Sequence, residues 1–464
     1  MSLVAALVFA VLIALLVHTT RERGFKRSAA LWFAFAWLWF ASSRNPTAWM
    51  QIHGSKGSAD TAYSEGSALD RTIFAGLMLG GVIALATRSK RTTAFLTANL
   101  PVVLFFLYCG LSVVWSDHAD ISIKRWFRGL GDLVMVMVIL TDTDWVGAFR
   151  WVYTRLACVL LPLSVLFFRW FPALGRSYSI HDGHVTVTGV TDDKNLLGAI
   201  CALFSLAVIW CMIEAVQTKR PRRKWFLAGY GVVILVAAYL VYLADSATAT
   251  ACLIQGAIVL VLTSMPAINR RPTRAHWIAF AMLGFSALNL FAGSFLLQML
   301  GRNSTLTGRT ELWALCLTLV RNPVFGAGYE SFWLGQRLER MWEYIPGVNQ
   351  AHNGYLEIYL NLGWVGVIFL VAFLISGYRN IMRALRRHEP AASLRLAVFV
   401  VACIANCTEA SFKMMHPMWI ALLVVGTYRP ALGFARRRRV AQEEAAPTSS
   451  LTPDFTPALA GESI

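Results

Sequence analysis

The chain has 464 residues, 57% of them hydrophobic and only 14% charged, with a mean hydropathy of +0.56. A soluble domain of this length is far less apolar, so the composition excludes an ordinary globular protein and reads as membrane-embedded. The net charge of +17 does not point to nucleic acid, because most Lys and Arg sit in short clusters between apolar runs, where they orient a membrane protein.

A helix needs about 20 mostly apolar residues to cross a bilayer, since every backbone polar group must be bonded internally there. Apolar runs of this kind lie near 3–17, 29–42, 72–87, 94–115, 126–140, 152–170, 195–217, 225–243, 247–265, 276–297, 356–378, 393–408 and 416–428. The first, fifth and last two are the weakest. The expected fold is therefore all-α: a polytopic membrane protein with about 12 transmembrane helices (11 to 13) and one large helical periplasmic loop. The first run is followed, not preceded, by its basic cluster RERGFKR, the reverse of a secretory signal, so it reads as an uncleaved helix with its N-terminus outside. Many Trp flank the apolar runs, where an amphipathic ring prefers the headgroup level.

The clusters Arg88/Lys90/Arg91, Lys219 to Lys224, Arg270/Arg271/Arg274, Arg379 to Arg387 and Arg436 to Arg439 fall on one side of this count, which is then the cytoplasm. The chain is expected to divide into transmembrane helices with short loops over 1–297, a large outward-facing loop over 298–355, C-terminal transmembrane helices over 356–430 and a cytoplasmic tail over 431–464. The tail is Ala, Glu, Pro, Ser and Thr without periodicity, which predicts disorder. Seven of the eight cysteines lie in or beside apolar runs, with Cys316 alone in the large loop, and none has metal or redox spacing.

One segment departs from the charge rule: SDHADISIKRWFRGLGDL places Lys124, Arg125 and Arg128 at the outer end of a helix. Either these cations snorkel to headgroups or they contact a phosphate-bearing lipid. The loop 298–355 is too long for a simple connection. In it, GRTELWALCLTLVRNP predicts an amphipathic helix with Leu312, Leu315 and Leu319 on one face, stopped by Asn322-Pro323. FGAGYESF permits a tight turn, and QRLERMWEYIPG adds a charged, aromatic stretch. His352 sits where the next spanning helix begins, with Asn353 beside it and Glu357 about one turn inward. Its imidazole either takes a proton from substrate or merely caps the helix or bonds a loop carbonyl. Arg309 either captures phosphate oxygens or pairs with Glu311 or Glu339.

The blocks GRTELW, NPVFGAGYESF and AHNGYLEIYLNLGWVG resemble the O-antigen ligase and polysaccharide polymerase superfamily of bacterial inner membranes. WSDHADISIKR, GVTDDKNLLG and LADSATATACL extend the likeness over roughly residues 110 to 370, and SEGSALDRTIF inclines it toward the succinoglycan-type exopolysaccharide polymerisation branch. The resemblance implies a glycosyltransferase that uses a polyprenyl-diphosphate-linked glycan as donor on the periplasmic face of the inner membrane, with no metal or cofactor. It implies that His352 is the catalytic histidine and Arg309 one of two catalytic arginines. The second arginine usually follows the serine of LADS, but Ser246 is followed here by Ala247, so Arg176 or Lys194 is the candidate to replace it. Asn353, Tyr355 and Arg125 complete the expected substrate-binding set. Implied partners are the lipid-linked oligosaccharide, membrane lipids, a polysaccharide co-polymerase or chain-length regulator and an export complex. Two other readings use the same composition: ligase-type transfer of the glycan to another acceptor, and a non-enzymatic export or flippase component. Glu214 and Asp245 fall near predicted helix ends and not at the midplane, and the distinctive polar content sits in the external loop, which favours surface chemistry over translocation.

Overall fold

The computed structural model describes residues 2–22, 24–50, 67–178, 185–219, 223–299 and 307–430. The expected disordered tail, 431–464, with its Arg436 to Arg439 cluster, lies outside the described residues, as do residues 51–66 and the start of the large loop at 300–306. The longer helices in chain order are α1 (Ser2–Thr19), α2 (Leu31–Ala41), α3 (Ala68–Ala86), α4 (Ser89–Ala98), α5 (Leu100–Leu111), α6 (Ala119–Leu140), α7 (Trp145–Trp170), α8 (Lys194–Gln217), α9 (Arg223–Ala244), α10 (Ala247–Ser264), α11 (Arg274–Met299), α12 (Thr307–Thr318), α13 (Gly335–Tyr344), α14 (Gly354–Arg386), α15 (Ala392–Ala405) and α16 (Pro417–Gly426). Against an expectation of eleven to thirteen spans, seven described helices are long and apolar enough to cross a membrane, or eight if α4 and the helical run after it, bent by 88°, count as one. A hairpin of two short antiparallel strands, β1 (Arg176–Tyr178) and β2 (Val185–Val187), follows α7 and departs from the all-α expectation.

The interior is built on α8, which is buried from Leu197 to Cys211 almost without interruption and packs against α7, α9 and α10. Gly198 lets α8 approach α10 until a Cβ there would lie 2.5 Å from that of Ala249, the small-residue contact by which helices associate where no hydrophobic force drives them together. Helices α15 and α16 are short, apolar and buried on all sides, as interior helices are. By contrast α1 exposes Leu3, Val4, Leu7, Val8, Val11 and Leu15 outward. At the 88° bend, the Asn99 carboxamide donates to the Phe95 and Tyr428 carbonyls at 2.8 Å each and accepts from the Tyr428 amide at 2.6 Å, so the broken ladder keeps its partners.

Helix α14 is not continuous. Gly363 (φ 62°, ψ −166°) interrupts it, leaving backbone groups on both sides without helical partners. The segment Pro323–Gly328 runs across the break and takes them. The Trp364 and Val365 amides donate to the Pro323 and Val324 carbonyls at 2.9 and 3.2 Å, and the Leu360 and Asn361 carbonyls accept from Ala327 and Gly328 at 3.1 and 2.8 Å. A side chain at Gly363 would collide with the Val324 carbonyl, and this backbone region is essentially reserved for glycine. Behind this strap a small satellite core forms from Leu312, Cys316, Phe332, Trp333, Leu338, Met341, Ala351 and Leu360. The strap is thus held to the bundle by backbone pairing, and α12 and α13 are held to it by apolar burial.

Gly363→Ala is expected to cost about 2 kcal/mol or more and to make the strap the first site of limited proteolysis. An unchanged melting temperature and cleavage pattern would refute the strap's role. Burial pushes the Cys316 thiol up to about 12. Folding raises it, so loop docking keeps its full strength below about pH 9 and weakens as pH climbs toward 12. At about pH 8 the thiolate fraction is on the order of one in ten thousand, so maleimide should label Cys316 only after denaturation. Rapid labelling of the folded protein would show that the satellite core is open.

Candidate functional site

Four helices begin at one end of the bundle, each with a side chain answering the free amides of its first turn. Asp193 accepts from the Asn195 and Leu196 amides at 2.8 Å each to start α8, and Ser246 accepts from the Ala249 amide at 3.3 Å to start α10. Asn353 accepts from the Tyr355 and Leu356 amides at 3.1 Å each to start α14, and His416 Nδ1 accepts from the Met418 amide at 3.2 Å to start α16. Helix α15 ends among them, and the turn 406–416 crosses between.

Asn406 organises that turn. Its Nδ2 donates to the Ala402 carbonyl at 2.8 Å, while its Oδ1 accepts from the Ser411 and Phe412 amides at 2.9 Å each. The turn presents Glu409. One carboxylate oxygen lies 3.4 Å from Arg309 Nη2, and the other lies 3.3 Å from His352 Nδ1 and 3.2 Å from Asn195 Nδ2. Arg309 Nη1 also donates to the Thr408 carbonyl at 2.6 Å. An imidazole, a guanidinium and a carboxamide therefore share a carboxylate whose side chain is only 15% exposed.

His352 is held there with φ 49°, a left-handed conformation uncommon outside glycine. The next turn locks it, because the Gly354 amide donates to the Asn406 and Glu409 carbonyls at 2.8 and 3.1 Å. Any side chain at Gly354 would collide with the Asn406 carboxamide, so the glycine is what lets α14 begin this close to the turn.

A cavity of about 110 Å³ opens beside the Glu409 carboxylate, between the starts of α8, α10 and α16 and the end of α15. A second, of about 60 Å³, lies beyond Gln350 and Lys413, which border both. Lys413 Nζ donates to Gln350 Oε1 at 3.1 Å. The second cavity is bordered by Arg125, Glu330, Asn349 and Trp333. Arg125 donates to the Glu330 carbonyl, and burial pushes the Glu330 carboxyl up against the pull of Arg125 and Lys413.

The residues expected from sequence fall into three groups. His352 and Arg309 are brought onto one carboxylate, and it is neither Glu311 nor Glu339 but Glu409, far downstream. Lys194 lies between Asp193 and Asn195, which both border the first cavity, and Arg125 borders the second. Arg176 is elsewhere: its Nε donates to the Phe168 carbonyl at 3.1 Å and its guanidinium stacks 4.9 Å from that residue's ring. Asn353 serves as a helix cap. Tyr355 donates to the Cys403 carbonyl at 3.0 Å and packs edge-on against Phe412. Glu357 accepts both Trp333 Nε1, at 3.1 and 2.9 Å, and the Ala351 amide, so it fastens Trp333 and the residue before His352 to α14.

Sequence reasoning missed Glu409, Lys413 and Gln350. The one signal was two opposite charges in a short turn between the last two apolar runs, where a plain connection would need none.

The fold and this polar end define a multi-helix membrane protein with a titratable centre built at helix termini. Residues 231–371 match the family model described as O-antigen ligase, a stretch that holds Ser246, Arg309 and His352 and stops short of Glu409. Over 359 residues the chain is 25% identical to Exopolysaccharide production protein ExoQ of Rhizobium meliloti (strain 1021), covering 73% of this chain and 78% of that one. The superfamily that the chain resembles is that of the O-antigen ligases and polysaccharide polymerases, whose members are enzymes of glycosyl transfer.

Proposed function

We propose that the chain is an exopolysaccharide polymerase that joins polyprenyl-diphosphate-linked oligosaccharide repeat units on the periplasmic face of the inner membrane. The observation that carries this reading is the meeting of His352 and Arg309 at Glu409. It is supported by the match to the O-antigen ligase family and by the likeness to a protein named for exopolysaccharide production. The charge distribution supports the side. Helices α8, α10 and α14 start at the site and end beside Lys219, Arg270/Arg271 and Arg383/Arg386/Arg387, so the rule that basic ends stay in the cytoplasm turns the site outward.

In the reaction, an acceptor sugar hydroxyl attacks the donor's anomeric carbon. A new C–O bond forms, the bond from that carbon to the diphosphate oxygen breaks, and the diphosphate leaves with the electron pair. His352 takes the hydroxyl proton, oriented by Glu409 as the general base of a nucleophilic pair is oriented by a third group. Arg309 receives charge on the leaving diphosphate. Arg176, whose guanidinium is engaged with Phe168, is placed away from the site, and Lys194 sits between two residues that border the cavity beside Glu409. One direct displacement inverts the anomeric configuration, and no metal is needed. A diphosphate is already a good leaving group, so positioning and charge stabilisation carry most of the rate, with the base adding ~10²–10⁴-fold.

His352→Ala is expected to insert normally and to lower polymer formation by ~10²-fold or more while lipid-linked repeat units accumulate. Gel analysis of polymer and mass spectrometry of extracted lipids check this. Normal polymer from that variant would reject the assignment. Purified wild-type protein that moves the lipid across liposomes without forming glycosidic bonds would instead support a flippase.

A further inference from the structure

We infer that the cavity beside Glu409 is the pocket for the acceptor sugar, with Lys413 and Gln350 as its far wall; this rests on the reading above that the chain joins lipid-linked glycans. The cavity adjoins the reacting centre through Glu409, the carboxylate that His352 also touches. Its chemistry selects a polyol over a diphosphate. Two carboxylates, Asp193 and Glu409, border it against a single ammonium, Lys413, which is itself bonded to Gln350. His416 adds no charge, since an Nδ1 that accepts the Met418 amide carries no proton. Among the described residues that border the cavity the one cation is thus already engaged, and Arg309, which meets Glu409 from outside the cavity, is not among them, so a diphosphate there would find no uncommitted cation.

A sugar ring, by contrast, needs donors and acceptors in nearly equal measure, and Asn195, Ser246, Thr248, Gln350 and Ser411 supply both at the cavity wall. Alanines on α8, α10 and α15, Ala199 among them, leave the space open. A ring seated here presents a hydroxyl to Glu409. On attack, that hydroxyl's proton passes to the His352–Glu409 pair, its oxygen bonds the donor's anomeric carbon, and the diphosphate departs on the Arg309 side with the electron pair. The two substrates thus reach one carboxylate from opposite sides.

The test uses full-length protein purified in detergent with fluorescently tagged polyprenyl-diphosphate-linked repeat units from the source cells. It reads donor capture, as lipid retained through size exclusion, and polymer formation separately. Ala199→Leu fills the cavity from a half-buried position on α8. It is expected to lower polymer formation about tenfold or more with donor capture unchanged, whereas Arg309→Gln loses donor capture. Retained capture also shows that the variant is folded; should Ala199→Leu not fold, Gln350→Leu carries the same expectation. Parental polymerisation by both cavity variants would overturn the inference. So would Ala199→Leu losing donor capture while Arg309→Gln keeps it, because the cavity would then hold the diphosphate. Parental polymerisation by Arg309→Gln would sink the polymerase mechanism itself and leave the pocket assignment to the cavity variants.

Discussion

The Glu409 carboxylate is where the chain's separate parts become one site. It belongs to the turn between two interior helices, Arg309 comes from the first turn of α12, His352 from the residue before α14 is capped, and Asn195 from the start of α8. A buried or half-buried carboxylate left without partners is costly, so its three neighbours fix one another through it. The arrangement tolerates little drift. Asn406 ties the turn with three hydrogen bonds, and Gly354 lets α14 press against it where no side chain fits.

The second constraint is the interruption of α14. In a membrane protein a broken helix needs protein partners for the backbone groups it releases. The strap over Gly363 supplies them, and five residues beyond it the Trp333 indole bonds Glu357 one turn into α14. Glu357 in turn accepts the Ala351 amide, next to His352. The large loop is therefore connected to His352 through a short chain of buried bonds, and its apolar underside is sealed by Leu312, Cys316 and Met341.

Much of this was legible in the sequence, for identifiable reasons. Apolar runs announce their helices because a bilayer leaves the backbone no alternative, and the start of α14 was readable from Asn353 followed by an apolar stretch. His352 and Arg309 stood out because they sit in blocks that resemble a superfamily. Glu409 lies 57 residues from His352 in no such block, and its role exists only once α15 and α16 fold the turn back against α14. Gly363 was hidden because an apolar sequence around a glycine reads as unbroken helix. Arg176 was expected at the diphosphate, but the small hairpin that carries it turns the guanidinium onto Phe168, a local contact that composition does not reveal.

The claim on which the rest depends is that His352 and Glu409 act as a pair. A double-mutant cycle on polymer formation, combining His352→Ala with Glu409→Gln, measures this directly. If Glu409 works through the imidazole, adding Glu409→Gln to a chain that already lacks it should cost almost nothing, and the two effects should fall far short of their product. Multiplicative losses, with each substitution acting at full strength in the other's presence, would show that the carboxylate and the imidazole serve separate ends and would contradict the account.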